Sequence, residues 1–436
     1  MQSNEDLAAD RNRRIAQLVV SARSVTKTGR LHEAARAWEQ VLGLAPDHAE
    51  ALFFFGQHHL AQGDAYGAAQ LFERAMRTNP KDALIPLALA AAHRAKGDTK
   101  AELSAYERAL AADPYCYPAL LGKGASLEHL GQPRAAARIY TDALKITPPD
   151  ERLSADLRHL VQRARRAVQE NTLAFDAFVE TRIGRIRQRH VHARLDRFDE
   201  CKDAMVGRKK IYSQQPVMLN FPRLPAIQFY DDDQFPWLGE LEAKTDAIES
   251  ELSALLDERA PGFRPYMNMP DGVPLNETAA LNRSPDWSAY FFWDDGVRIE
   301  EHCNRCPKTA ATLEAMPLAR MPGFAPAAFF SSLTPGTRIA PHTGVTNARL
   351  IVHLGLVVPG NCTFRVGNET RTWQRGKAWV FDDTIEHEAY NGSDRTRVVL
   401  IFDIWNPYLS EAERDLVCAL LAAQREYYAA DQTAKG

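Results

Sequence analysis

Four glycines, Gly29, Gly63, Gly97 and Gly131, stand 34 residues apart, and Pro46, Pro80, Pro114 and Pro148 keep the same interval. A period of that length restricts the fold more than composition does. Each unit must be a supersecondary element that buries its apolar face only by stacking on its neighbours. An aromatic recurs in register at Trp38, Phe72, Tyr106 and Tyr140. A small or apolar residue follows at Val41, Ala75, Ala109 and Ala143, then Leu42, Met76, Leu110 and Leu144, while Gly56, Ala90 and Gly124 are equivalent earlier in their units. The periodic glycine supplies a tight turn between two antiparallel helices, the small residues let the helix backbones approach, and the aromatic fills the gap to the next pair. Proline then stops the second helix.

These positions resemble the tetratricopeptide repeat over about residues 12–148. The segment Leu153 to Val168 is expected to close the stack as a capping helix, which sets the array at 12–169. Such arrays present extended concave surfaces, so a protein or peptide substrate or partner is expected there. Residues 170–206 read as a separate charged connecting helix, with ETRIGRIRQRHVHAR supplying its basic residues; a solvated or docking helix is one reading and an anionic-ligand site the other.

The whole chain has 436 residues, 45% hydrophobic and 25% charged, with a formal net charge of −3. That balance shows no basic excess for nucleic acid. The stretch MQSNEDLAADRNRR carries charges where a secretory signal needs an apolar core, and no stretch approaches the roughly 18 unbroken apolar residues of a membrane span, so a cytoplasmic protein is expected. Cys116, Cys201, Cys303, Cys306, Cys362 and Cys418 are too scattered for a disulfide framework. Cys303 and Cys306 form a lone C-x-x-C, open to redox or zinc chemistry or simply two reduced thiols.

Pro216, Pro222, Pro225 and Pro236 punctuate a loop-rich stretch that ends the helical region, which puts a domain boundary near 207 and a second domain at 207–430. Apolar spacing predicts one helix over 238–257. From about 324 the period falls to two: AAFFSSL, ARLIVHLGLVV, CTFRV, KAWVFD and TRVVLIFDIW are strand-like runs separated by glycine- and proline-containing turns. Short strands at this spacing predict an antiparallel sandwich or jelly roll of the cupin type. The fold class is thus α+β and multidomain. Ser410 and Glu413 form a capping box for a closing helix through Leu416, Leu420 and Leu421.

Beyond 207 only His302, His342, His353 and His387 occur, and a histidine early in one strand can converge with another some 45 residues later in a jelly-roll mouth, as neutral imidazoles suited to iron. Alternation places Leu350, Val352, Leu354 and Leu356 on one face of their strand and Arg349, Ile351 and His353 on the other. TRVVLIFDIW is apolar on both faces, so this strand should be buried on both sides. Arg397 begins it. The guanidinium either meets a carboxylate inside, its best geometric match, or snorkels from the strand end to water.

The joined runs SSLTPGTRIAPHTGVTNARLIVHLGLVVP, WQRGKAWVFDDTIEHEAYN and RVVLIFDIWNP resemble the aspartyl/asparaginyl β-hydroxylases, 2-oxoglutarate-dependent oxygenases, strongly over about 325–407 and more loosely over 215–430. The resemblance implies a double-stranded β-helix in which His342 of PHTG and His387 of EHE bind iron(II). Gly344 stands at the place where many related oxygenases carry a ligating carboxylate. Asp383 then either supports the metal through water or, with Asp382, caps a turn. By the same resemblance Arg397 and Ser331 hold the distal carboxylate of 2-oxoglutarate, His353 its metal-proximal carboxylate, and Arg349 contacts substrate. The reaction implied is hydroxylation coupled to release of succinate and carbon dioxide.

Two departures bear on the substrate. Animal members carry a second arginine where Ile351 stands, and their disulfide pair is not reproduced by the close-set Cys303 and Cys306. Three functions follow as alternatives: hydroxylation of an amino-acid side chain in a protein or peptide, hydroxylation of a free amino acid or lipid acyl chain, or a non-catalytic repeat scaffold with a degenerate cupin domain.

Overall fold

The computed structural model describes residues 4–257, 262–273 and 278–433. The chain forms two compact units, Met1–Arg208 and Lys209–Gly436. In the first, helices pair as α1 (Asn4–Lys27) with α2 (Leu31–Leu44), α3 (Ala49–Ala61) with α4 (Ala65–Thr78), α5 (Leu84–Ala95) with α6 (Thr99–Ala112), and α7 (Tyr117–His129) with α8 (Pro133–Ile146). The periodic glycines turn each hairpin in the left-handed region, with φ of +72°, +86°, +73° and +71° at Gly29, Gly63, Gly97 and Gly131. Their surroundings are open, so conformation and not space selects glycine there.

Gly56 and Gly124 are selected for the opposite reason. A Cβ on Gly124 would lie 2.3 Å from the Tyr140 ring, and one on Gly56 2.5 Å from the Phe72 ring. The in-register aromatic therefore lies directly on the backbone of the other helix in its hairpin. Gly124→Ala is expected to cost about 1–3 kcal/mol through overpacking. In a Tyr140→Leu background that cost should shrink, which a double-mutant cycle of denaturant unfolding on the full chain would read. Equal costs in both backgrounds would disprove the contact.

One expectation fails at the end of the array. Helix α9 runs unbroken from Ala155 to Arg189, so the capping segment and the first half of the supposed connecting helix are one 35-residue element. Nothing between 168 and 189 interrupts it, and its lone glycine, Gly184, is tolerated in a helix interior. The break comes instead at His190–Leu195, before α10 (Asp196–Val206), which ends on Gly207 at φ +86°. Val161 and Ala164 of α9 complete the repeat core with Leu121, Tyr140 and Leu153. The basic run beyond them faces water for the most part, while the buried Lys202 of α10 pairs through its ammonium with Asp176 and Glu180 of α9.

The second unit starts irregularly. The expected single helix over 238–257 is two, α11 (Leu238–Glu242) and α12 (Thr245–Asp257). Eleven strands follow among the described residues: β1 (Arg264–Pro265), β2 (Trp287–Asp294), β3 (Val297–Arg298), β4 (Ala328–Leu333), β5 (Arg338–His342), β6 (Arg349–Val357), β7 (Cys362–Val366), β8 (Glu369–Thr372), β9 (Ala378–Phe381), β10 (His387–Asn391) and β11 (Arg397–Trp405). Between β3 and β4 lie α13 (Glu300–Arg305) and α14 (Pro307–Glu314), and α15 (Glu411–Thr433) closes the unit.

The larger sheet has the order β1-β2-β4-β11-β6-β9, with β3 on β2, and the smaller β5-β10-β7-β8, all pairs antiparallel. From β4 onward the chain passes repeatedly from one sheet to the other, which is the winding of a jelly roll. The even positions Leu350, Val352, Leu354, Val398, Leu400 and Phe402 pack outward on Leu241, Ile248, Leu252 and Leu313 of the helices. The odd positions face the smaller sheet, where Ile351 and Val399 meet Phe364, Val366 and Trp373. Burial on both sides explains why β11 carries no apolar–polar alternation.

The strand β2 lies ahead of residue 324, where the period-two pattern begins. Five of the eight residues in its run WSAYFFWD are aromatic, which gives it strand propensity without a period-two pattern. At α15 the capping box forms, Ser410 N–H donating to Glu413 Oε2 at 2.8 Å, but the inward residues are Val417 and Leu421 whereas Leu416 and Leu420 face water. Cys303 and Cys306 are buried free thiols, and burial pushes Cys306 up to about 12, which holds it protonated and unreactive.

Candidate active site

His342 ends β5 and His387 begins β10, and the antiparallel register sets them directly opposite each other. Their rings lie 4.1 Å apart between centroids. Each Nδ1 sits on a main-chain carbonyl two residues upstream, Ala340 O at 2.8 Å and Ile385 O at 3.1 Å. A carbonyl can only accept, so each Nδ1 carries the proton and each Nε2 keeps a free lone pair. Burial holds both imidazoles below the usual histidine range, His387 well below it. Two neutral, oriented nitrogen donors side by side suit a divalent metal. Among the described residues no group of three or more histidine, cysteine, aspartate or glutamate donors gathers, so the histidines stand as a pair.

Asp382 and Asp383 divide the two roles left open by the sequence. Asp382 caps the turn, accepting from Thr384 N–H at 2.9 Å and Thr384 Oγ1 at 2.6 Å, and takes a further bond from Gln214. Asp383 turns into the site. Its carboxylate fills the space beside Gly344, where an added Cβ would lie 2.1 Å from both Cγ and Oδ2. Asp383 Oδ2 pairs with Arg349 Nη2 at 3.3 Å, while Oδ1 is buried with no partner. Burial pushes this carboxyl up to about 7 against the pull of Arg349.

Arg349 is held from both sides. Its Nη1 donates to Asp403 Oδ1 at 2.9 Å, and Asp403 Oδ2 accepts from Ala327 N–H at 2.8 Å. Asp403 was not singled out in the sequence. The signal was there: a lone carboxylate in the doubly buried run VVLIFDIW requires a cation, and Arg349 lies on the neighbouring strand.

Arg397 does not reach water. It is 2% exposed and its guanidinium lies over the Trp373 ring, 4.7 Å from the centroid. Nη1 donates to Ser331 O at 3.3 Å, Nε has no partner, and among the described residues no carboxylate pairs with it. Burial alone pulls it down to about 10. Ser331 is buried alongside, its Oγ accepting from Trp287 Nε1 at 3.3 Å. His353 lies on the same face of β6 as Arg349 with Nδ1 unpartnered, and burial followed by the charge of Arg397 holds it well below the usual range. The Trp373 indole N–H is a further buried donor without a partner.

All these side chains line one cavity of about 290 Å³ between the sheets, shared by His342, His387, Gly344, Asp383, Arg349, His353, Ser331, Arg397 and Trp373. Its other walls include Tyr266, Trp287, Phe329, Ile351 and Ile401. Trp287 and Tyr266 both lie ahead of residue 324, where the period-two pattern begins, so no motif in the sequence points to them.

Residues 242–407 match the family model for aspartyl/asparaginyl β-hydroxylases. A Rhizobium tropici protein, the ornithine lipid ester-linked acyl 2-hydroxylase, is 34% identical over 203 residues, which are 45% of this chain and 67% of that protein. The chain belongs to the aspartyl/asparaginyl β-hydroxylase family. Within that family the chain is 40% identical over 150 residues to the human aspartyl/asparaginyl β-hydroxylase, a match covering 34% of this chain and spanning only 20% of the human protein. Family members thus act, by their names, on aspartyl or asparaginyl residues or on lipid acyl chains. Ahead of that family match, residues 21–83 and 87–151 match the tetratricopeptide-repeat model. Among solved structures, that of MamA aligns at 19% identity with a TM-score of 0.29, covering 36% of this chain and 88% of MamA.

Proposed function

We propose that this β-hydroxylase relative is an iron(II)- and 2-oxoglutarate-dependent dioxygenase. The observation that carries the reading is Arg397: a guanidinium buried without a counter-ion among the described residues, in the cavity that the His342–His387 pair also lines. A protein keeps an unpaired buried charge at a cost of several kcal/mol, and a dianionic co-substrate repays it. His342 and His387 would hold iron, which supplies oxygen activation when bound. Arg397 and Ser331 would take the distal carboxylate of 2-oxoglutarate. Trp373 offers a second donor beside them, and His353 would bond the metal-proximal carboxylate. Asp383 would accept a hydrogen bond from water on the metal. One oxygen atom enters the substrate C–H bond and the other the succinate formed as carbon dioxide leaves.

The repeat unit supports capture of a protein or peptide, as substrate or partner, because stacked helical hairpins offer an extended concave surface. Among the described residues no helix is long and apolar enough to cross a membrane. A lipid acyl chain is the second reading, favoured by the match over two thirds of the Rhizobium hydroxylase. The scaffold alternative would leave Arg397 an unexplained cost.

Anaerobic titration with iron(II) and 2-oxoglutarate, followed by succinate measurement once oxygen is admitted, tests the reading. One metal per chain and slow succinate release without substrate are the expected results, and His387→Ala or His342→Ala should abolish both. Full metal occupancy with normal turnover in His387→Ala would refute the assignment.

A further inference from the structure

The cavity's charges are nearly all spoken for before any substrate enters. Arg349 is neutralised by Asp383 and Asp403, at 3.3 and 2.9 Å. The remaining cation, Arg397, stands at the opposite end of β11 from Asp403. Asp403 is six positions further along, about 20 Å on a strand. Its neighbours Trp373 and His353 carry further unpartnered nitrogens, whereas the unpartnered atom at the Arg349 end, Asp383 Oδ1, is an acceptor and offers nothing to a carboxylate.

Between these ends the wall is apolar. Tyr266 stacks on Trp287 at 4.1 Å and lies 5.2 Å from Phe329, and Trp287 in turn is 6.4 Å from the His342 ring. Ile351 and Ile401 complete the surface, Ile351 sitting midway between Arg349 and His353 on β6. We infer that the group presented for hydroxylation is an uncharged aliphatic chain. It lies against Tyr266, Trp287, Phe329, Ile351 and Ile401, and a side-chain carboxylate is excluded because no cation among the described residues of the cavity is left to receive it.

The inference rests on Arg397 being taken by 2-oxoglutarate, and its physical basis is desolvation. A carboxylate moved into this space surrenders its water and finds chiefly ring faces and methyl groups, with Thr278 and Thr343 as uncharged polar lining, beside the carboxyl of Asp383 and the charge of the co-substrate. An aliphatic segment gains from the same surface with each methylene it buries. An alkyl chain suits the site whether it comes from a leucine-like side chain or from an acyl group.

The test uses the full chain loaded with zinc(II) and 2-oxoglutarate, which does not turn over, and calorimetric titration with three probes: octanamide, N-acetyl-leucine methylamide and N-acetyl-aspartate methylamide. At least one aliphatic probe should bind about tenfold or more tightly than the aspartate probe. Preference for octanamide over the leucine probe would point to an acyl source, and the reverse to a peptide. Ile351→Arg, which places an unpaired cation on the wall, should shift the aliphatic-to-aspartate ratio by at least about tenfold towards aspartate. The inference is overturned if the aspartate probe binds the unaltered protein as tightly as the aliphatic ones, if neither aliphatic probe binds, or if Ile351→Arg leaves the ratio unmoved. Failure of 2-oxoglutarate to bind, with the aliphatic preference intact, would count against the co-substrate reading alone.

Discussion

Gly344→Asp is expected to abolish metal-dependent turnover, although it supplies the very carboxylate that completes a two-histidine, one-carboxylate triad in other iron oxygenases. The reason is spatial. Asp383 already occupies the volume next to Gly344, with its Cγ 2.1 Å from where the new Cβ would stand. Two buried carboxylates would compete for one place and for the single guanidinium of Arg349. Overpacking of this kind costs about 1–3 kcal/mol before charge repulsion is counted. The exchange Gly344→Asp with Asp383→Gly keeps both the volume and the charge, and should recover metal affinity that the single variant loses. Zinc(II) titration and succinate release read the two outcomes. A Gly344→Asp protein with undiminished metal affinity and turnover would show that Asp383 moves aside freely.

Arg397→Met is expected to separate stability from co-substrate binding. In the empty protein the buried guanidinium has one long hydrogen bond and a ring face for company. Replacing an imperfectly compensated buried charge with an apolar side chain of similar length should be neutral or stabilise by about 1–4 kcal/mol. The same change should weaken 2-oxoglutarate by tens- to thousands-fold, the loss of about 2–5 kcal/mol from one partner of a desolvated charge pair. Thermal unfolding and calorimetric titration would therefore move in opposite senses. A lowered Tm with unaltered 2-oxoglutarate affinity would make Arg397 a structural residue.

The repeat half was legible because its information is local and recurs: a glycine at positive φ and an aromatic lying on a helix backbone leave the same mark every 34 residues. The jelly roll was legible from β4 onward, where turns carry glycine or proline and strand faces alternate. What escaped was set by tertiary neighbours. β2 has no alternation because aromatic clusters cover both its faces, Tyr290 and Phe292 on one and Phe291 on the other. The length of α9 escaped because a change from apolar to charged composition is a change of environment, not of backbone. In the site, the histidine pair and Arg397 could be named from motifs, whereas the Asp403 partner of Arg349 and the Trp287–Tyr266 wall depend on which strands lie side by side. Asp382 and Asp383 are adjacent in sequence, and only the direction of each side chain assigns one to the turn and the other to the cavity.

His342 and His387 are rungs of the same ladder, opposite each other on β5 and β10, with a bulge immediately after His387. Their separation is consequently fixed by main-chain pairing, the least adjustable dimension a protein has. Loops around the mouth can lengthen, shorten or exchange their chemistry without altering the bite of the two nitrogens. A scaffold arranged in this way permits its clientele to change while its reactive centre stays calibrated, which suits a family whose members bear names as different as those of a residue hydroxylase and a lipid hydroxylase.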